Sequence, residues 1–571
     1  MTATILGLVL MYAVGWHFCA PRRAFEIPVK STASDSGMRK LVNAIASTGR
    51  YYLLPDSWRI IFGRTSRLQV LVLGILFAYI CIFSFVGIGY KDWTTPPSKT
   101  YQAGYPGLMQ RRLGPWSDRI GTFAFALTPF SILLSSRESI LSLLTGIPYQ
   151  SFNFLHRWLG WIILIQAIAH TLGWTIIEVV FYQPQPVVAT TWIKQLYMVW
   201  GCVAILLICI MAILASPWGI RATGYEFFRK AHYILAMFYL GACWGHWHPL
   251  KSFIIPSLCI WFVDRGTRLI RSFLIHYSYL PDGSMGFQTA SAEMSLFRDE
   301  SGDVVRLDYQ YAHNAWKPGQ HFYLCFVNAS IWQSHPFTPL SLPLEKDGIV
   351  QHSYIFRAKK GESAKIVKMA AALAEVRAPL TTPVVMQGLY GEDHTQTLSP
   401  DVNVLCVAGG TGISYILLTL LWLASQPPNP DRHIALVWSV RRLQDVEWVR
   451  QELGILSHAK QHNISITVHV TGEVRSESVS ATAAEKSVDI AASSASSSSG
   501  VDSVLNVAKR EHLDLSVIVP TFAGDTIGGR TMVFASGPGG MISDLRRFVA
   551  AANSGARVWK GDASADVQLR A

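Results

Sequence analysis

Long apolar runs dominate the first half of the sequence. A helix needs about 20 apolar residues to cross a bilayer, and seven runs approach that length. The pattern therefore predicts a membrane α-helical bundle of about seven spans, the last six of which form a core. The predicted spans cover about residues 3–20, 68–90, 119–136, 154–181, 193–215, 228–248 and 250–264.

After about residue 280 the pattern changes to short alternating runs between Gly, Pro and charged turns. Such alternation is typical of strands, so these runs predict an antiparallel β-barrel to about residue 390. From residue 402 the order becomes strand, glycine turn, helix and strand, which predicts an α/β nucleotide-binding half. The predicted strands include 305–309, 321–327, 353–356, 404–408, 434–439 and 531–535, and the predicted helices include 413–424 and one that begins at Ile542.

The composition agrees with a membrane protein. Of the 571 residues 50% are hydrophobic and 15% are charged, and the mean hydropathy of +0.27 is too high for a soluble protein of this size. Much of the net charge of +12 lies at membrane flanks, so it predicts contact with a lipid bilayer and no nucleic acid partner. The eight cysteines form no CxxC motif and indicate neither a disulfide framework nor a thiolate metal site.

The basic residues predict which side of the membrane each half occupies. The segment 21–67 carries nine Lys and Arg residues, whereas the loop 182–192 carries no charge. Because basic loops stay in the cytosol, the segment 21–67 and the polar C-terminal half are predicted to be cytosolic. The four basic residues of the loop 91–118 are a partial objection to this orientation.

Two histidine pairs with the same spacing lie inside the apolar region. His156 and His170 are 14 residues apart, and so are His232 and His246. Fourteen helical residues return to within about 40° of the starting face and rise about 21 Å, so both histidines of a pair face the same way. Two such helices across a bilayer core of about 30 Å predict two stacked bis-histidine haems. His156 and His232 would bind one haem on the cytosolic side, and His170 and His246 would bind the other on the outer side.

The four histidines could also be ordinary residues of a helix bundle, although an ionisable side chain in hydrocarbon usually indicates function. His248 competes with His246 as a ligand, but it lies about 160° round the helix from His232, so His246 is the predicted ligand. Tyr239 falls midway on the ligand face, where it could lie between haems or pack in the core.

Two glycine turns follow strands in the C-terminal half. Glycines between a strand and a helix let a phosphate approach the N–H groups at the start of the helix. Tight turns also use glycine for steric reasons, so one turn is a weak signal and two together predict a nucleotide site. The first turn reads Gly409-Gly410-Thr411-Gly412, and the second reads Ser536-Gly537-Pro538-Gly539-Gly540-Met541.

The run His335-Pro336-Phe337-Thr338 resembles the flavin-binding signature of fungal ferric reductases, a family related to NADPH oxidases. It follows Pro318-Gly319-Gln320-His321 and precedes a run from Arg357 to Ser363, in the order in which that family arranges its flavin barrel. Together with the histidine helices and the nucleotide half, the resemblance covers about residues 68–560. It implies a cytosolic ferredoxin-reductase-like module, with an FAD-binding β-barrel and an α/β NADPH-binding domain, after the membrane helices.

The resemblance also implies which residues contact the cofactors. It assigns the FAD ring and ribityl portion to His335, Pro336, Phe337 and Thr338, the FAD pyrophosphate to Arg357, Lys360, Gly361 and Ser363, the NADPH pyrophosphate to Gly409, Gly410, Thr411, Gly412 and Ile413, and the nicotinamide side to Gly537, Pro538, Gly539 and Met541. Arg441 and Arg442 could bind the 2′-phosphate of NADPH or be ordinary exposed arginines. No further catalytic residue is assigned.

Two features depart from the family pattern. Ser536 stands where relatives often have Cys, and the sequence ends with 567–571 where the family commonly has an aromatic residue near the flavin.

The predicted domains are 1–67 (N-terminal helix and basic cytosolic segment), 68–270 (transmembrane di-haem domain), 280–395 (FAD-binding β-barrel) and 400–571 (α/β NADPH-binding domain with a disordered Ser/Ala-rich insertion at 473–510).

The resemblance implies electron transfer from cytosolic NADPH, through FAD and two b-type haems, to external Fe(III) chelates and Cu(II), in support of metal uptake. A hydride carries two electrons and a haem iron accepts one, so a flavin is the required adapter. The expected location is the plasma membrane, with the vacuole or another endomembrane as the alternative. An iron permease or oxidase is a possible protein partner. The alternative functions are a superoxide-generating NADPH oxidase with the same carriers and a non-redox transporter or sensor that binds no haem.

Overall fold

The computed structural model describes residues 2–19, 37–87, 108–182, 184–280, 283–313, 315–330, 333–346, 348–358, 361–472, 505–508 and 513–571. They fall into two units, one of Met1–Arg22 with Leu71–Ile270 and one of Arg23–Val70 with Arg271–Ala571. The basic N-terminal segment therefore groups with the C-terminal half of the chain. Lys360, residues 21–36 and most of the loop 91–118 lie outside the described residues.

Twelve α-helices precede residue 277 in the described part of the chain. In order they are α1 (Thr2–Cys19), α2 (Gly37–Leu53), α3 (Arg59–Phe62), α4 (Arg67–Phe85), α5 (Leu108–Ser135), α6 (Ile140–Thr145), α7 (Tyr149–Thr175), α8 (Val187–Ile193), α9 (Leu196–Ala215), α10 (Pro217–Thr223), α11 (Tyr225–His246) and α12 (Lys251–His276). A π-helical segment, Ile176–Phe181, continues α7. Seven of the twelve, α1, α4, α5, α7, α9, α11 and α12, coincide with the predicted spans.

Among the described residues, three stretches are long and apolar enough to cross a membrane: Arg67–Phe85, Tyr149–Phe181 and Leu196–Ala215. The other helices that coincide with predicted spans remain predictions as spans. α12 extends well beyond the predicted end at residue 264 because the charge there is compensated. Asp264 pairs with Arg268 one turn later and accepts a hydrogen bond from the backbone N–H of Glu138 at 2.9 Å.

Apolar side chains from six helices, α4, α5, α7, α9, α11 and α12, form the core of the first unit. α5 packs along α7, and α9 packs along α11. One buried cluster contains Ile80, Ala124, Leu127, Ile163, Leu164, Ile208 and Met211, and the next contains Ala204, Leu240, Ala242, Cys243 and Ile254. This packing fixes the positions of α7 and α11, which carry the four histidines.

The second unit begins with an antiparallel sheet. A separate hairpin of β1 (Tyr277–Tyr279) and β2 (Met285–Phe287) precedes it. The sheet contains β3 (Ala290–Phe297), β4 (Val304–Tyr311), β5 (Gln320–Phe326), β6 (Ser334–Phe337), β7 (Glu345–Lys346), β8 (Ile349–Arg357) and β9 (Thr381–Gly391). Helix α13 (Glu362–Glu375) lies between β8 and β9. The strands of the sheet pair in the order β6-β5-β9-β3-β4-β8-β7. The order is open, so the described residues form a half-barrel where the sequence predicted a barrel. β6 contains Pro336, which lacks an N–H and suits an edge strand.

A parallel sheet with helices follows, as the sequence predicted. It contains β10 (Asn403–Gly409), β11 (Ile434–Val440), β12 (Ile464–Val470), β13 (Leu505–Ala508), β14 (Thr531–Ser536) and β15 (Val567–Arg570), with α14 (Ile413–Ala424), α15 (Arg450–His458), α16 (Leu515–Gly524), α17 (Gly539–Ala552) and α18 (Gly555–Trp559). The strand order is β13-β12-β11-β10-β14-β15. The chain runs outward from β10 and then returns to β14 on its other side. Ligands of such sheets bind at the carboxyl ends of the strands where the order reverses.

One boundary of the predicted insertion at 473–510 is wrong. Leu505–Ala508 form β13, which pairs in parallel with β12 from Leu505 opposite Ile466 to Ala508 opposite His469. An edge strand needs only one neighbour, so four residues in the tail of a low-complexity segment are enough to extend the sheet. Residues 473–504 and 509–512 lie outside the described part of the chain.

A buried ion pair joins the half-barrel to the parallel sheet. Arg306 on β4 donates to the two carboxylate oxygens of Glu452 on α15 at 2.9 and 2.8 Å, and to Asp308 at 2.9 Å. The side chains of Arg306 and Glu452 are only 7% and 6% exposed. Burial alone would lower the pKa of the Arg306 guanidinium, but its bonds to the two carboxylates raise that pKa above its ordinary value. The two side chains therefore form an ion pair that is largely excluded from water.

We predict that Arg306→Leu lowers the free energy of unfolding by about 3–5 kcal/mol, because Glu452 would stay buried without its counter-charge. Thermal unfolding of the purified chain, followed by tryptophan fluorescence, measures this loss. Arg450→Ala is the matched control. Arg450 pairs with Glu447 where the two side chains are 45% and 49% exposed, so its loss should cost less than about 1 kcal/mol. Equal losses in the two variants would contradict the prediction.

Candidate functional site

Four histidines face one another in two pairs between α7 and α11. The ring centroids of His156 and His232 are 6.2 Å apart, and those of His170 and His246 are also 6.2 Å apart. The ring planes cross at 88° in the first pair and at 82° in the second. The structure thus brings together the two histidines of each predicted pair, at two levels of the same two helices.

Backbone carbonyls of neighbouring helices hold three of these histidines through Nδ1. A carbonyl oxygen can only accept a hydrogen bond, so Nδ1 carries the proton and Nε2 keeps its lone pair. Such a contact fixes both the tautomer and the orientation of a metal-binding imidazole. The contacts are His156 with Ser131 of α5 at 2.8 Å, His170 with Ser117 of α5 at 2.7 Å, and His246 with Tyr197 of α9 at 2.8 Å.

Two glycines give the histidines this close approach. A Cβ added at Gly121 would lie 2.4 Å from His170 Nδ1, and one added at Gly201 would lie 2.7 Å from His246 Nδ1. Each glycine lies four residues after the carbonyl that binds the same histidine, so one helical turn supplies both the acceptor and the space. Sequence reasoning missed these residues. Glycine inside an apolar span was the available signal, because small residues permit close contact between membrane helices.

The histidine pairs fit a haem iron. A metal–imidazole bond is about 2 Å long, so two imidazoles on opposite sides of one iron place their ring centroids roughly 6 Å apart. Within the described ranges no group of three or more His, Cys, Asp and Glu side chains could hold a bare metal ion. A porphyrin supplies four nitrogen ligands itself, so two histidines complete the set. Nδ1 of His232 is buried and has no hydrogen-bond partner in the described part of the chain.

Two residues that the sequence left open have different surroundings. His248 lies in a short turn after α11, and its Nε2 is 3.4 Å from the ammonium of Lys251. It does not belong to either histidine pair. Tyr239 packs against both buried clusters of the bundle core. Core packing thus accounts for Tyr239 as fully as a position between two cofactors would.

A pocket in the half-barrel collects most of the residues of the flavin-like motif. It is lined by Phe326, His335, Pro336, Phe337, Phe356, Arg357, Ser363 and Ile366. The rings of Phe337 and Phe356 are 5.0 Å apart. β6 supplies the aromatic side of the pocket, and the end of β8 supplies its cationic side. Thr338 directly follows β6 and is not among the lining residues.

The cationic side combines Arg357 with the start of α13. Gly361 precedes this helix with φ +68, a conformation that favours glycine, and Ser363 lies in the first turn. A guanidinium beside the N–H groups of a helix start suits a pyrophosphate. An aromatic wall next to an anion site fits a flavin dinucleotide. Lys360, the remaining residue assigned to this anion, lies outside the described residues.

Asp299 fixes the position of Arg357. Its carboxylate accepts a hydrogen bond from Arg357 Nη1 at 2.5 Å and lies 3.6 Å from Arg442 Nη2. Burial alone would raise the pKa of the Asp299 carboxyl, but the N–H of Ser301 and the two guanidiniums hold that pKa below its ordinary value. Arg357 also donates to the carbonyl of Gly302 at 2.9 Å. The guanidinium therefore stays at the edge of the pocket.

The two glycine turns meet where the order of the parallel sheet reverses. β10 and β14 are adjacent, with Ala408 opposite Ser536, so both turns leave the same edge. A Cβ added at Gly409 would lie 2.6 Å from Pro538 Cδ, and one added at Gly412 would lie 2.4 Å from the carbonyl oxygen of Ser536. These contacts require glycine, and they bring the uncapped N-termini of α14 and α17, whose first N–H groups have no partner within the helix, to the reversal.

The other residues assigned to the nucleotide occupy the same edge. Gly410 and Thr411 form a 3-10 turn, and Ile413 begins α14. The buried ring of Trp438 donates from Nε1 to the carbonyl of Gly410 at 3.0 Å. A Cβ added at Gly537 would lie 2.6 Å from the Cε atom of Met541. The residues predicted from the two turns therefore lie at one edge of the sheet, together with Gly539 at the start of α17, but the side chain of Ile413 is fully buried in the core below it.

The two arginines after β11 differ in their partners. Arg442 Nη2 lies 3.3 Å from Asp445 and 3.6 Å from Asp299. Arg441 is exposed and donates to the neutral hydroxyl of Ser301. Within the described ranges no carboxylate pairs with Arg441, so its charge is the one available to an incoming phosphate. The sequence did not distinguish the two arginines, because these acidic partners come from different elements.

Three family models match successive parts of the chain. A "Ferric reductase like transmembrane component" matches residues 120–243, an "FAD-binding domain" matches residues 287–394, and a "Ferric reductase NAD binding domain" matches residues 402–550. The first range includes His156, His170 and His232. The second includes the residues that line the pocket, and the third includes both glycine turns.

Curated relatives carry related names. "Ferric reductase transmembrane component 5" of Saccharomyces cerevisiae is 27% identical over 82% of this chain and 62% of its own length. "Ferric/cupric reductase transmembrane component 1" of Candida albicans is 28% identical over 71% of this chain and 49% of its own. "Probable cell surface ferric reductase kap2" of Aspergillus oryzae is 26% identical over 60% and 45%. The chain thus spans about half to three fifths of the length of these relatives.

We predict that Arg357→Ala lowers the FAD content of the purified chain by weakening FAD binding about tenfold or more, the usual effect of losing a charge-assisted hydrogen bond. Flavin released on denaturation and measured by fluorescence gives the content. Arg298→Ala is the control, because Arg298 is 66% exposed and pairs with Asp303 in the same turn. An unchanged FAD content in Arg357→Ala would exclude this residue from the flavin site.

We also predict that Arg441→Ala weakens the binding of NADPH about tenfold and leaves the binding of NADH unchanged, because only NADPH carries a 2′-phosphate. Steady-state KM values for the two dinucleotides measure the difference. Arg442→Ala serves as the comparison, since its charge is already compensated by Asp445 and Asp299. A parallel loss for both dinucleotides in Arg441→Ala would show that this residue does not recognise the 2′-phosphate.

Proposed function

We infer that the chain belongs to the ferric reductase family, and we propose that it oxidises NADPH on one side of a membrane and reduces ferric chelates on the other. We assign FAD and two b-type haems to it as bound carriers. The observation that carries this proposal is the equal separation of 6.2 Å in both histidine pairs. Two centres about 21 Å apart along the same helices suit a relay across a bilayer core of about 30 Å.

The chemistry of the flavin, together with the histidines around the proposed haems, determines how electrons would pass along the chain. A bound flavin exchanges electron pairs with a nicotinamide and single electrons with a haem iron. The four histidines would hold the two haems, two histidines to each iron, so no protein-side position would be left open for the substrate to bind the metal. The carbonyls of Ser131, Ser117 and Tyr197 hold three of the imidazoles in one tautomer and orientation, which preserves their geometry as ligands.

The cytosolic half would bind the NADPH that donates the hydride. The glycine turns admit the NADPH pyrophosphate to the edge between β10 and β14, and the exposed Arg441 faces a 2′-phosphate. Phe337 and Arg357 line the flavin pocket, and α13 begins beside it. We assign these residues to binding and positioning, and we place the half-barrel and the parallel sheet in the cytosol because segment 21–67 is rich in Lys and Arg.

The acceptor and the membrane are proposed from the relatives. The Saccharomyces cerevisiae relative is named for ferric reduction, and the Candida albicans relative for ferric and cupric reduction. The name of the Aspergillus oryzae relative adds a cell-surface location. We infer that this chain reduces Fe(III) chelates, with Cu(II) as a second acceptor, at the plasma membrane. A permease or oxidase for the reduced iron is the class of partner that this activity would serve.

We predict that His170→Ala halves the haem content and abolishes ferric reduction, while NADPH still reduces the flavin. The reason is that His170 and His246 form one of the two ligand pairs, whereas the flavin pocket belongs to another part of the chain. Absorbance of the reduced protein measures the haem, and Fe(II) capture measures the activity. His248→Ala is the matched control, since His248 belongs to neither pair.

The same assay tests the substrate class. With NADPH and a ferric chelate, the purified chain should form Fe(II) at the expense of NADPH. Superoxide formation that the chelate does not suppress, with no Fe(II), would instead identify an oxygen reductase. Full ferric reduction by His170→Ala would overturn the ligand assignment.

A further inference from the structure

The N-terminal segment places a cation at the second glycine turn. Arg64 follows α3, and its guanidinium lies beside Gly539 and Gly540 at the start of α17. A Cβ added at Gly539 would lie 2.4 Å from Arg64 Nη1, and one at Gly540 would lie 4.0 Å from Nη2. A side chain at position 539 would therefore displace the guanidinium from this place. Neither the family models nor the flavin and nucleotide motifs include residue 64.

The segment that carries Arg64 is packed firmly on the parallel sheet domain. Ser47 of α2 is fully buried, and its hydroxyl lies 3.1 Å from the Oδ1 atom of Asn553 and 2.9 Å from the carbonyl of Ala565. Arg50 donates to Asn553 at 3.2 Å and pairs with Asp566. These contacts fix α2 against α17 and α18.

A second set of contacts fixes the backbone at Arg64 itself. Arg546 of α17 donates from Nη1 to the carbonyl oxygen of Arg64 at 3.0 Å. The same guanidinium atom lies 3.1 Å from the carboxylate of Asp56, whose side chain is 7% exposed. The position of residue 64 is therefore set by α17, the helix that begins at the glycine turn.

The Arg64 guanidinium lacks a counter-charge. In the part of the chain that the structure describes, it has neither an ion pair nor a hydrogen bond. It adjoins the N-terminus of α17, a helix of 14 residues whose first turn has no side-chain cap. A helix N-terminus carries about half a positive charge, so a guanidinium beside it is unfavourable unless an anion joins them. The arrangement is explained if the anion belongs to a ligand.

We propose that Arg64 is a binding residue of the dinucleotide site and that it donates to a pyrophosphate oxygen of NADPH. The inference rests on the proposed function, because it takes the edge between β10 and β14 as the dinucleotide site. The two glycine turns touch at Gly409 and Pro538, and Arg64 lies beside the second of them, at Gly539. The cytosolic segment before the membrane helices thus completes the site.

The role assigned to Arg64 differs measurably from that of Arg441. A pyrophosphate is common to NADPH and NADH, so Arg64→Ala should weaken both by the same factor, about tenfold or more. Arg441→Ala should change the ratio between them. Arg64→Lys keeps the charge and loses the planar fork of donors, so it should recover part of the affinity. A purely structural role would instead appear as a lower unfolding temperature with unchanged affinity.

The test is a binding titration of NADP⁺ and NAD⁺ into the full-length chain in detergent, by calorimetry, without turnover. The variants are Arg64→Ala and Arg64→Lys. Arg67→Ala is the control, because Arg67 lies in the same segment and donates to the carbonyl of Tyr52 at an exposed position. A thermal unfolding curve of each variant accompanies the titration.

The expected result is an equal loss of affinity for both dinucleotides in Arg64→Ala, partial recovery in Arg64→Lys and no change in Arg67→Ala. Wild-type affinity in Arg64→Ala would overturn the inference and leave the proposed function standing. A loss confined to NADP⁺ would also overturn it, because it would move the contact to the 2′-phosphate. Failure of the wild-type chain to bind either dinucleotide would reject the proposed function itself.

Discussion

The separation of two imidazoles, set by the packing of two helices, is the constraint on which the membrane unit depends. A distance of 6.2 Å between ring centroids leaves room for one metal atom between the rings, and the same distance recurs one level further along α7 and α11. Helix packing alone does not produce such a repeat. Carbonyls of Ser117 and Tyr197 and glycines one turn later fix the rings from behind. The helix core, the two glycines and the backbone carbonyls therefore together set the positions of the paired imidazoles.

Close backbone approach has the same importance in the second unit. Gly409, Gly412 and Gly537 allow two strand-to-helix turns to touch, and the resulting edge presents N–H groups where the strand order reverses. Positive charge near this edge comes from two arginines that lie outside the turns. Arg441 follows a neighbouring strand, and Arg64 arrives from the N-terminal segment. The buried pair of Arg306 and Glu452 holds the half-barrel against this domain, so the pocket of the half-barrel and the edge formed by the glycine turns keep a defined relation.

Much of this arrangement could be predicted from periodicity, because local pattern determines local structure. The seven apolar runs coincide with helices, and α14 has the predicted bounds of 413–424. The histidine spacing predicted which rings meet. The sequence failed where distant residues cooperate: the end of α12 depends on the pairing of Asp264 with Arg268, and β13 depends on its neighbour β12. Asp299 beside Arg442, Ser301 beside Arg441 and the glycine turn beside Arg64 likewise come from elements far from those arginines in the chain, and no local pattern reports such contacts.

The most direct test of the account is an electron paramagnetic resonance spectrum of the oxidised chain, with the haem content measured on the same sample. The ring planes cross at 88° and 82°. Two haems held by these crossed imidazole pairs should therefore give highly anisotropic low-spin ferric signals. A high-spin signal, or fewer than two haems per chain after expression with ample haem, would contradict the paired-histidine sites.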